Sequence, residues 1–189
     1  VYSYAKHKFG KEFNFKLFKF PEHLSEALKK EIPNLLCFSN YSWNFELAYQ
    51  FAYLAKEINP NLITIFGGPN FPTTDDEKKE FLKNNSAIDF YAEQEGEIGF
   101  EDIINNLINF NFDITKFKTH ANKINNTTYL NSDCELISGE VNRITNVNDI
   151  PSPYLNGYLD EFFDLSLIPM IETTRGCPFS CSFCTDGLS

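Results

Sequence analysis

Leu62-Ile63-Thr64-Ile65-Phe66-Gly67-Gly68-Pro69 is a run of five uncharged residues, mostly β-branched or aromatic, cut off by two glycines and a proline. It reads as a strand that ends in a tight turn. The same grammar repeats on either side. Leu35 to Ser39 is a continuous apolar run, as expected of a parallel strand covered on both faces, and Ile88-Asp89-Phe90-Tyr91 is another short strand. Helical periods separate them. Leu47, Ala48, Phe51, Ala52, Ala55 and Ile58 make one stripe behind a cap at Asn44. Thr74 and Glu77 form a capping box for a short polar helix, and Phe100, Ile103, Ile104, Leu107 and Ile108 mark a further helix. Upstream, Leu24, Ala27, Leu28 and Ile32 recur at helical spacing after Pro21, a good first-turn residue. Val1 to Phe9 reads as the end of a helix. Alternation through Phe13, Phe15 and Leu17 predicts one more strand over Phe13 to Phe20, near an edge.

Strands and helices alternating at this spacing predict right-handed crossovers and an α/β fold, a doubly wound parallel sheet with helices on both faces. Such a sheet normally opens with a strand that becomes central, and no such strand precedes the first helix. The expectation is four parallel strands, with a groove where the fifth would lie.

With 189 residues, the chain is long enough for one domain and an appendage, and a core of that size buries most of its apolar surface. A formal net charge of −10 and an isoelectric point near 4.7 argue against a nucleic-acid partner reached through phosphate neutralisation. No segment approaches the ~20 apolar residues of a membrane span, and no signal peptide opens the chain, so the default location is the cytoplasm. Cys37 and Cys134 are isolated, and Cys37, within Leu35-Leu36-Cys37-Phe38, reads as a small buried hydrophobe.

Beyond residue 110 the periodicity weakens. Thr127-Thr128-Tyr129-Leu130 and Cys134-Glu135-Leu136-Ile137 suggest a small hairpin about the polar turn Asn131-Ser132-Asp133. Asn146 to Pro153 is a linker by its prolines, and Tyr158 to Leu165 suits a short helix ahead of the apolar run Leu167 to Ile171, read as a strand. The organisation is therefore 1–110 for the α/β domain, 111–157 for the hairpin and linker, and 158–189 for the start of a second domain.

That last segment ends in Arg175-Gly176-Cys177-Pro178-Phe179-Ser180-Cys181-Ser182-Phe183-Cys184, three cysteines spaced C-x3-C-x2-C. Three clustered thiolates can hold three irons of a four-iron, four-sulfur cluster and leave the fourth open to a ligand. The competing readings fit less well. A disulfide framework needs a secreted context, structural zinc usually wants a fourth Cys or His at a set spacing, and a redox C-x-x-C pair has no use for Cys177.

The motif, with the aromatic Phe183 just before its last cysteine, resembles the signature of the radical S-adenosylmethionine enzymes. The resemblance implies that Cys177, Cys181 and Cys184 ligate a 4Fe-4S cluster, and that Phe183 lies near the adenine of S-adenosylmethionine. In that family the open iron chelates S-adenosylmethionine, and one electron from the cluster cleaves it to a 5′-deoxyadenosyl radical.

Ligands of open α/β sheets sit outside the carboxyl ends of the strands. Three loops lie there: Ser39-Asn40-Tyr41-Ser42-Trp43-Asn44, which runs into a helix N-terminus; Gly67-Gly68-Pro69-Asn70, which lets a flat group approach the backbone; and the acidic Glu93-Gln94-Glu95-Gly96-Glu97, which disfavours phosphate. No loop carries G-x-G-x-x-G or a Walker pattern. In this order, followed by Ile150-Pro151-Ser152-Pro153 and the cysteines, these loops resemble the flavodoxin- or Rossmann-like cobalamin-binding domain fused upstream of many radical S-adenosylmethionine enzymes. The resemblance covers nearly the whole chain. It implies that the corrin lies between the strand ends and the mouth of a (β/α) barrel, with its nucleotide tail in the α/β domain. Ser39, Tyr41, Trp43, Asn44, Gly67, Gly68, Pro69, Glu95 and Gly96 are then the candidate cobalamin contacts. Some cobalamin proteins supply a lower axial His from D-x-H-x-x-G; that motif is absent, and His7, His23 and His120 read as solvated side chains.

The resemblance further implies a methyltransferase that delivers a methyl group to an unactivated carbon or phosphorus of a small-molecule substrate, with an electron donor such as flavodoxin or ferredoxin. A barrel that encloses a radical needs on the order of 200 residues, so the chain is expected to carry the cluster loop of a truncated barrel, to be inactive alone, and to continue in its parent. In the full-length protein, Cys177→Ser, Cys181→Ser or Cys184→Ser should each abolish stoichiometric iron uptake on anaerobic reconstitution, measured as bound iron per chain.

Overall fold

The computed structural model describes residues 1–164, 167–172, 175, 179, 181 and 182. They fall into two compact units, Val1–Ile144 and Thr145–Ser189.

The first unit is a three-layer α/β structure. Its elements in chain order are α1 (Tyr2–Phe9), α2 (Pro21–Lys30), β1 (Leu35–Ser39), α3 (Phe45–Ile58), β2 (Ile63–Gly67), α4 (Asp75–Asn84), β3 (Phe90–Ala92), α5 (Gly96–Asn109), α6 (Ile114–His120), β4 (Thr127–Leu130) and β5 (Leu136–Ser138). The strands form one sheet in the order β1-β2-β3-β4-β5. β1, β2 and β3 are parallel, with Ser39 paired to Gly67 and Gly67 to Ala92. β4 and β5 are the expected hairpin, and they extend the same sheet antiparallel through Tyr91–Thr128 and Thr128–Ser138.

Side chains alternate across a strand, so the register sorts the core into two faces. Ile63, Ile65, Phe90, Ala92 and Tyr129 point to one face, under Ala5 and Phe9 of α1, Phe100, Ile103, Ile104 and Leu107 of α5, and Phe117 of α6. Phe66 and Tyr91 point to the other, under Ala48 and Ala52 of α3 and Leu82 of α4. Leu36 shares that second side with Leu24 and Leu28 of α2. β2 is buried from Ile63 to Phe66, the double coverage that its uncharged sequence anticipates. Each fully buried side chain of this size contributes about 1.5–3 kcal/mol. The doubly wound α/β class is the one observed.

Several details differ from expectation. Phe13 to Phe20 forms no strand. Phe13 and Phe15 still pack inward, the Phe13 ring 6.0 Å from Phe9 and 5.8 Å from Phe112, so the alternation marks a buried side without a ladder. A strand also needs a neighbour for its backbone groups, and β1, the nearest parallel strand in sequence, pairs only with β2. The parallel strands therefore number three among the described residues, not four. Cys37 is exposed rather than buried, because β1 is an edge strand and the core on that face gathers against β2 and β3. On α3 the buried line is Ala48, Ala52 and Ala55, while Leu47 and Ile58 of the expected stripe face solvent at 50% and 71% exposure. Alanines permit close approach of helix to sheet; the longer side chains fall outside it. α6 has no forerunner in the sequence reading. It is only seven residues long, capped by Asp113, whose carboxylate accepts from the Lys116 N–H at 3.0 Å, and anchored by Phe117.

Asp89 ties the layers together at the amino end of β3. Its carboxylate meets Lys56 Nζ of α3 at 2.6 Å and Lys118 Nζ of α6 at 3.0 Å, and accepts from the Thr64 N–H at 2.9 Å. One carboxylate thus joins helices on opposite faces. Burial alone would push its pKa up, but Lys118, Lys56 and the Thr64 N–H outweigh burial and hold it below the usual carboxylate range.

In the second unit, Tyr158 to Leu165 holds a single 3₁₀ turn at Asp160–Phe162, with Leu165 itself outside the described residues. The apolar run at 167–171 carries no strand pairing among the described residues. An isolated apolar strand leaves its backbone groups unpaired, and here the Tyr154 hydroxyl meets one such pair, accepting from the Met170 N–H at 3.1 Å and donating to the Met170 carbonyl at 2.7 Å.

Asp89→Asn should cost about 2 kcal/mol of stability near neutral pH by leaving both lysines without their anion. A carboxyl whose pKa is lowered by folding contributes fully above its unfolded value near 4, and that contribution is lost as pH falls through its folded value. The gap between wild type and Asp89→Asn in denaturant midpoint should therefore be flat above about pH 5 and close below about pH 4.

Candidate functional site

The level register of β1, β2 and β3 brings their carboxyl ends side by side, and the first two candidate loops are bonded to each other there. The Asn40 N–H donates to the Gly67 carbonyl at 2.7 Å, and the Asn70 N–H donates to the Asn40 carbonyl at 3.3 Å. Gly68 has φ +137°, a left-handed conformation that L side chains rarely adopt, and a methyl group there would run into the Asn40 carbonyl oxygen. Only glycine fits. At Gly67 a methyl would lie 3.2 Å from the Ala92 carbonyl oxygen of the third strand. The absence of two successive side chains thus serves the packing of the loops on one another as well as any ligand above them.

The first loop is folded around Asn44. This residue occupies the N-cap position of α3, but its side chain does not cap the helix. Its carboxamide turns back, donating to the Ser39 carbonyl at 2.9 Å and accepting from the Tyr41 N–H at 2.8 Å. The loop so closed presents Tyr41 and Trp43 outward, their rings stacked at 4.6 Å and 14°, with Trp43 79% exposed. A stacked aromatic pair held in solvent is a platform for a flat apolar ligand, since its exposure costs more than burying it would.

The third loop differs from the picture of free acidic side chains. Glu93 pairs with Lys78 Nζ at 2.7 Å and accepts from the Thr128 hydroxyl. Glu95 is buried, with Arg143 Nη1 3.6 Å from its carboxylate. Protein cations therefore face the carboxylates of Glu93 and Glu95. Gly96 opens α5.

The sequence reading overlooked Asn40, Asn70 and Tyr91. Asn40 and Asn70 belong to the first two loops and Tyr91 lies beneath them: Asn40 Nδ2 donates to the Asn70 carbonyl at 2.8 Å and to the Tyr91 hydroxyl at 3.0 Å, Asn70 Nδ2 donates to Asn40 Oδ1 at 3.1 Å, and the Tyr91 hydroxyl donates to the Gly68 carbonyl at 2.9 Å. Burial pushes the Tyr91 phenol well above its ordinary pKa, so it is a neutral donor at any physiological pH. The available signal was an asparagine directly after an apolar strand and another directly after Gly-Gly-Pro.

Of the cluster motif, Cys181 is exposed with a free thiol, and Cys177, Cys184 and Phe183 lie outside the described residues. Among the described residues no three His, Cys, Asp or Glu side chains are grouped to hold a metal ion. Arg175 pairs with Glu172 at 2.9 Å just ahead of the motif. No described helix is long and apolar enough to cross a membrane.

The candidate loops stand at the carboxyl ends of the parallel strands of an open α/β sheet, and comparison with known proteins bears on what such a sheet serves. No protein-family model matches the chain. It is 30% identical over 161 residues to the cobalamin-dependent radical SAM methyltransferase TokK of Streptomyces tokunonensis, covering 82% of this chain and 22% of that protein. It is equally 30% identical over 162 residues to the 2-(S-pantetheinyl)-carbapenam-3-carboxylate methyltransferase of Streptantibioticus cattleyicolor, with the same coverage. An uncharacterised methyltransferase of Pyrococcus horikoshii is 25% identical over 87% of this chain and 34% of its own length. Among solved structures, the apo cobalamin-dependent S-adenosylmethionine radical enzyme OxsB superposes with a TM-score of 0.63 at 20% identity, over 87% of this chain and 22% of that one, which establishes likeness of fold. The chain is a homologue of the cobalamin-dependent radical S-adenosylmethionine methyltransferases. It spans about a fifth of the length of the first two relatives, 22% in each case.

Gly68→Ala should destabilise the first unit by about 2–3 kcal/mol, the cost of a disfavoured backbone conformation joined to a steric clash. Urea titration followed by circular dichroism measures it.

Proposed function

We propose that the full-length protein is a cobalamin-dependent radical S-adenosylmethionine methyltransferase acting on an unactivated carbon or phosphorus of a small molecule, and that this chain supplies its corrinoid-binding α/β domain and its cluster loop. One conjunction carries the reading. A C-x3-C-x2-C motif stands on the same chain as an α/β sheet whose strand ends offer an exposed aromatic pair beside a two-glycine turn.

The residues fit the groups this implies. Three thiolates suit a 4Fe-4S cluster with one open iron, and Cys177, Cys181 and Cys184 would hold it, with Phe183 near the adenine of S-adenosylmethionine. For cobalamin, the Gly67-Gly68-Pro69 turn admits close approach to the backbone, while Tyr41 and Trp43 offer an apolar surface, and Ser39, Asn44 and the backbone at Glu95-Gly96 complete the rim. When bound, the cluster supplies the electron that cleaves S-adenosylmethionine, and cobalamin supplies the methyl group. The chain's own part is to bind and orient. Asn44 holds the first loop closed, and Gly68 keeps the second loop flat against Asn40. An electron donor of the flavodoxin or ferredoxin kind would serve the cluster.

Anaerobic reconstitution of the full-length protein with iron, sulfide and hydroxocobalamin, followed by visible spectroscopy and a 5′-deoxyadenosine assay, tests the proposal. Bound corrinoid together with deoxyadenosine is expected. Corrinoid without deoxyadenosine would make the protein a corrinoid carrier or sensor, and deoxyadenosine without corrinoid would make the α/β domain a scaffold. Trp43→Ala should weaken corrinoid binding about tenfold, in line with the loss of one stacked aromatic surface, while iron uptake stays at the wild-type stoichiometry.

A further inference from the structure

Asn40 is wholly buried and all of its polar groups are engaged. Its backbone N–H and carbonyl bond to Gly67 and Asn70, its Nδ2 to the Asn70 carbonyl and the Tyr91 hydroxyl, and its Oδ1 accepts from Asn70 Nδ2. Tyr91 passes the chain on to the Gly68 carbonyl at 2.9 Å, and its ring stacks on Phe71 at 3.7 Å and 9°. These bonds close around one segment, 67–71, from three directions: the end of β1, the middle of the β3 side chain ladder, and the loop itself. A sheet needs none of this to hold together. Apolar side chains would fill the same space without the cost of desolvating the Asn40 carboxamide and a phenol, whereas a fully satisfied polar network selects one loop geometry over its near neighbours. The loop it selects is the two-glycine turn whose positive φ at Gly68 only glycine adopts without strain, and which borders the exposed aromatic pair.

We propose that Asn40 and Tyr91 are positioning residues: a buried clasp that holds the Gly67–Asn70 backbone in the shape that receives the corrinoid, without touching the corrinoid themselves. This inference rests on the corrinoid-binding reading above. It assigns a binding role to two side chains that lie beneath the site and not in its wall.

The test is a double-mutant cycle in the full-length, anaerobically reconstituted protein, read by hydroxocobalamin titration in the visible spectrum. Titrations run at a temperature where circular dichroism shows each variant folded. Tyr91→Phe keeps the ring on Phe71 and removes only the hydroxyl; Asn40→Ala removes the carboxamide. Each should weaken hydroxocobalamin binding about tenfold, the equivalent of one or two buried hydrogen bonds. Because both act through one clasp, the double variant should lose no more than about twentyfold, far short of the hundredfold of independent sites. Iron uptake should remain stoichiometric in all three. The proposal is overturned if both single variants bind within twofold of wild type while only their thermal midpoints fall, or if the two losses multiply. Wild-type protein that takes up no corrinoid at all would overturn the underlying reading instead, and with it the clasp's role. Should Asn40→Ala fail to fold, Tyr91→Phe alone decides between tenfold loss and none.

Discussion

Parallel pairing in level register, Ser39 beside Gly67 and Gly67 beside Ala92, is the constraint from which the site follows. The strands differ in length but end level with one another, so the three loops leave the sheet at one rim as they turn away. Two of them pack on each other with no room to spare. The second loop lies so close to Asn40 that it tolerates no side chain at Gly68, and the first is closed by Asn44 rather than by helix capping. Among the exposed side chains at this rim are the stacked Tyr41 and Trp43.

The two ends of the sheet are built differently, and the chemistry of each suits its task. At the amino end, Asp89 bridges helices from both faces with full charges, a device for holding layers together. At the carboxyl end, the buried groups of the first two loops and beneath them are the neutral Asn40 amide and the Tyr91 phenol. Neutral hydrogen bonds fix direction without setting up a strong local field, which suits a rim expected to receive a large and largely uncharged ring system. The cations that answer Glu93 and Glu95 keep that rim from being strongly acidic.

Much of this was legible in the chain. Uncharged runs at 35–39 and 62–66 could be read as strands, but only the second is covered on both faces, the first being an edge; α2 and α5 followed from their apolar spacing, α4 from its Thr74 and Glu77 pair, and Val1 to Phe9 already read as the end of a helix. The misreadings share a cause. Phe13, Phe15 and Leu17 alternate as a strand does, yet alternation reports only which side is buried; a ladder needs a neighbour, and the neighbour is a tertiary fact. α3 shows the same limit from the other side, since alanine and leucine count alike as apolar while only the alanines fit against the sheet. α6 escaped because seven residues give too few repeats of a 3.6-residue period to be seen.

The cysteine spacing, the glycine pair and the strand-helix alternation are properties of short stretches of chain, and the sequence alone settled them, along with the resemblance they carry. Which polar residues would be buried under the loops could not be read so locally. Asn40, Asn70 and Tyr91 are separated by tens of residues and look like surface side chains one at a time. Only folding brings their donors and acceptors within 3.1 Å of one another, with Asn40 and Tyr91 buried away from water, where each must find a partner.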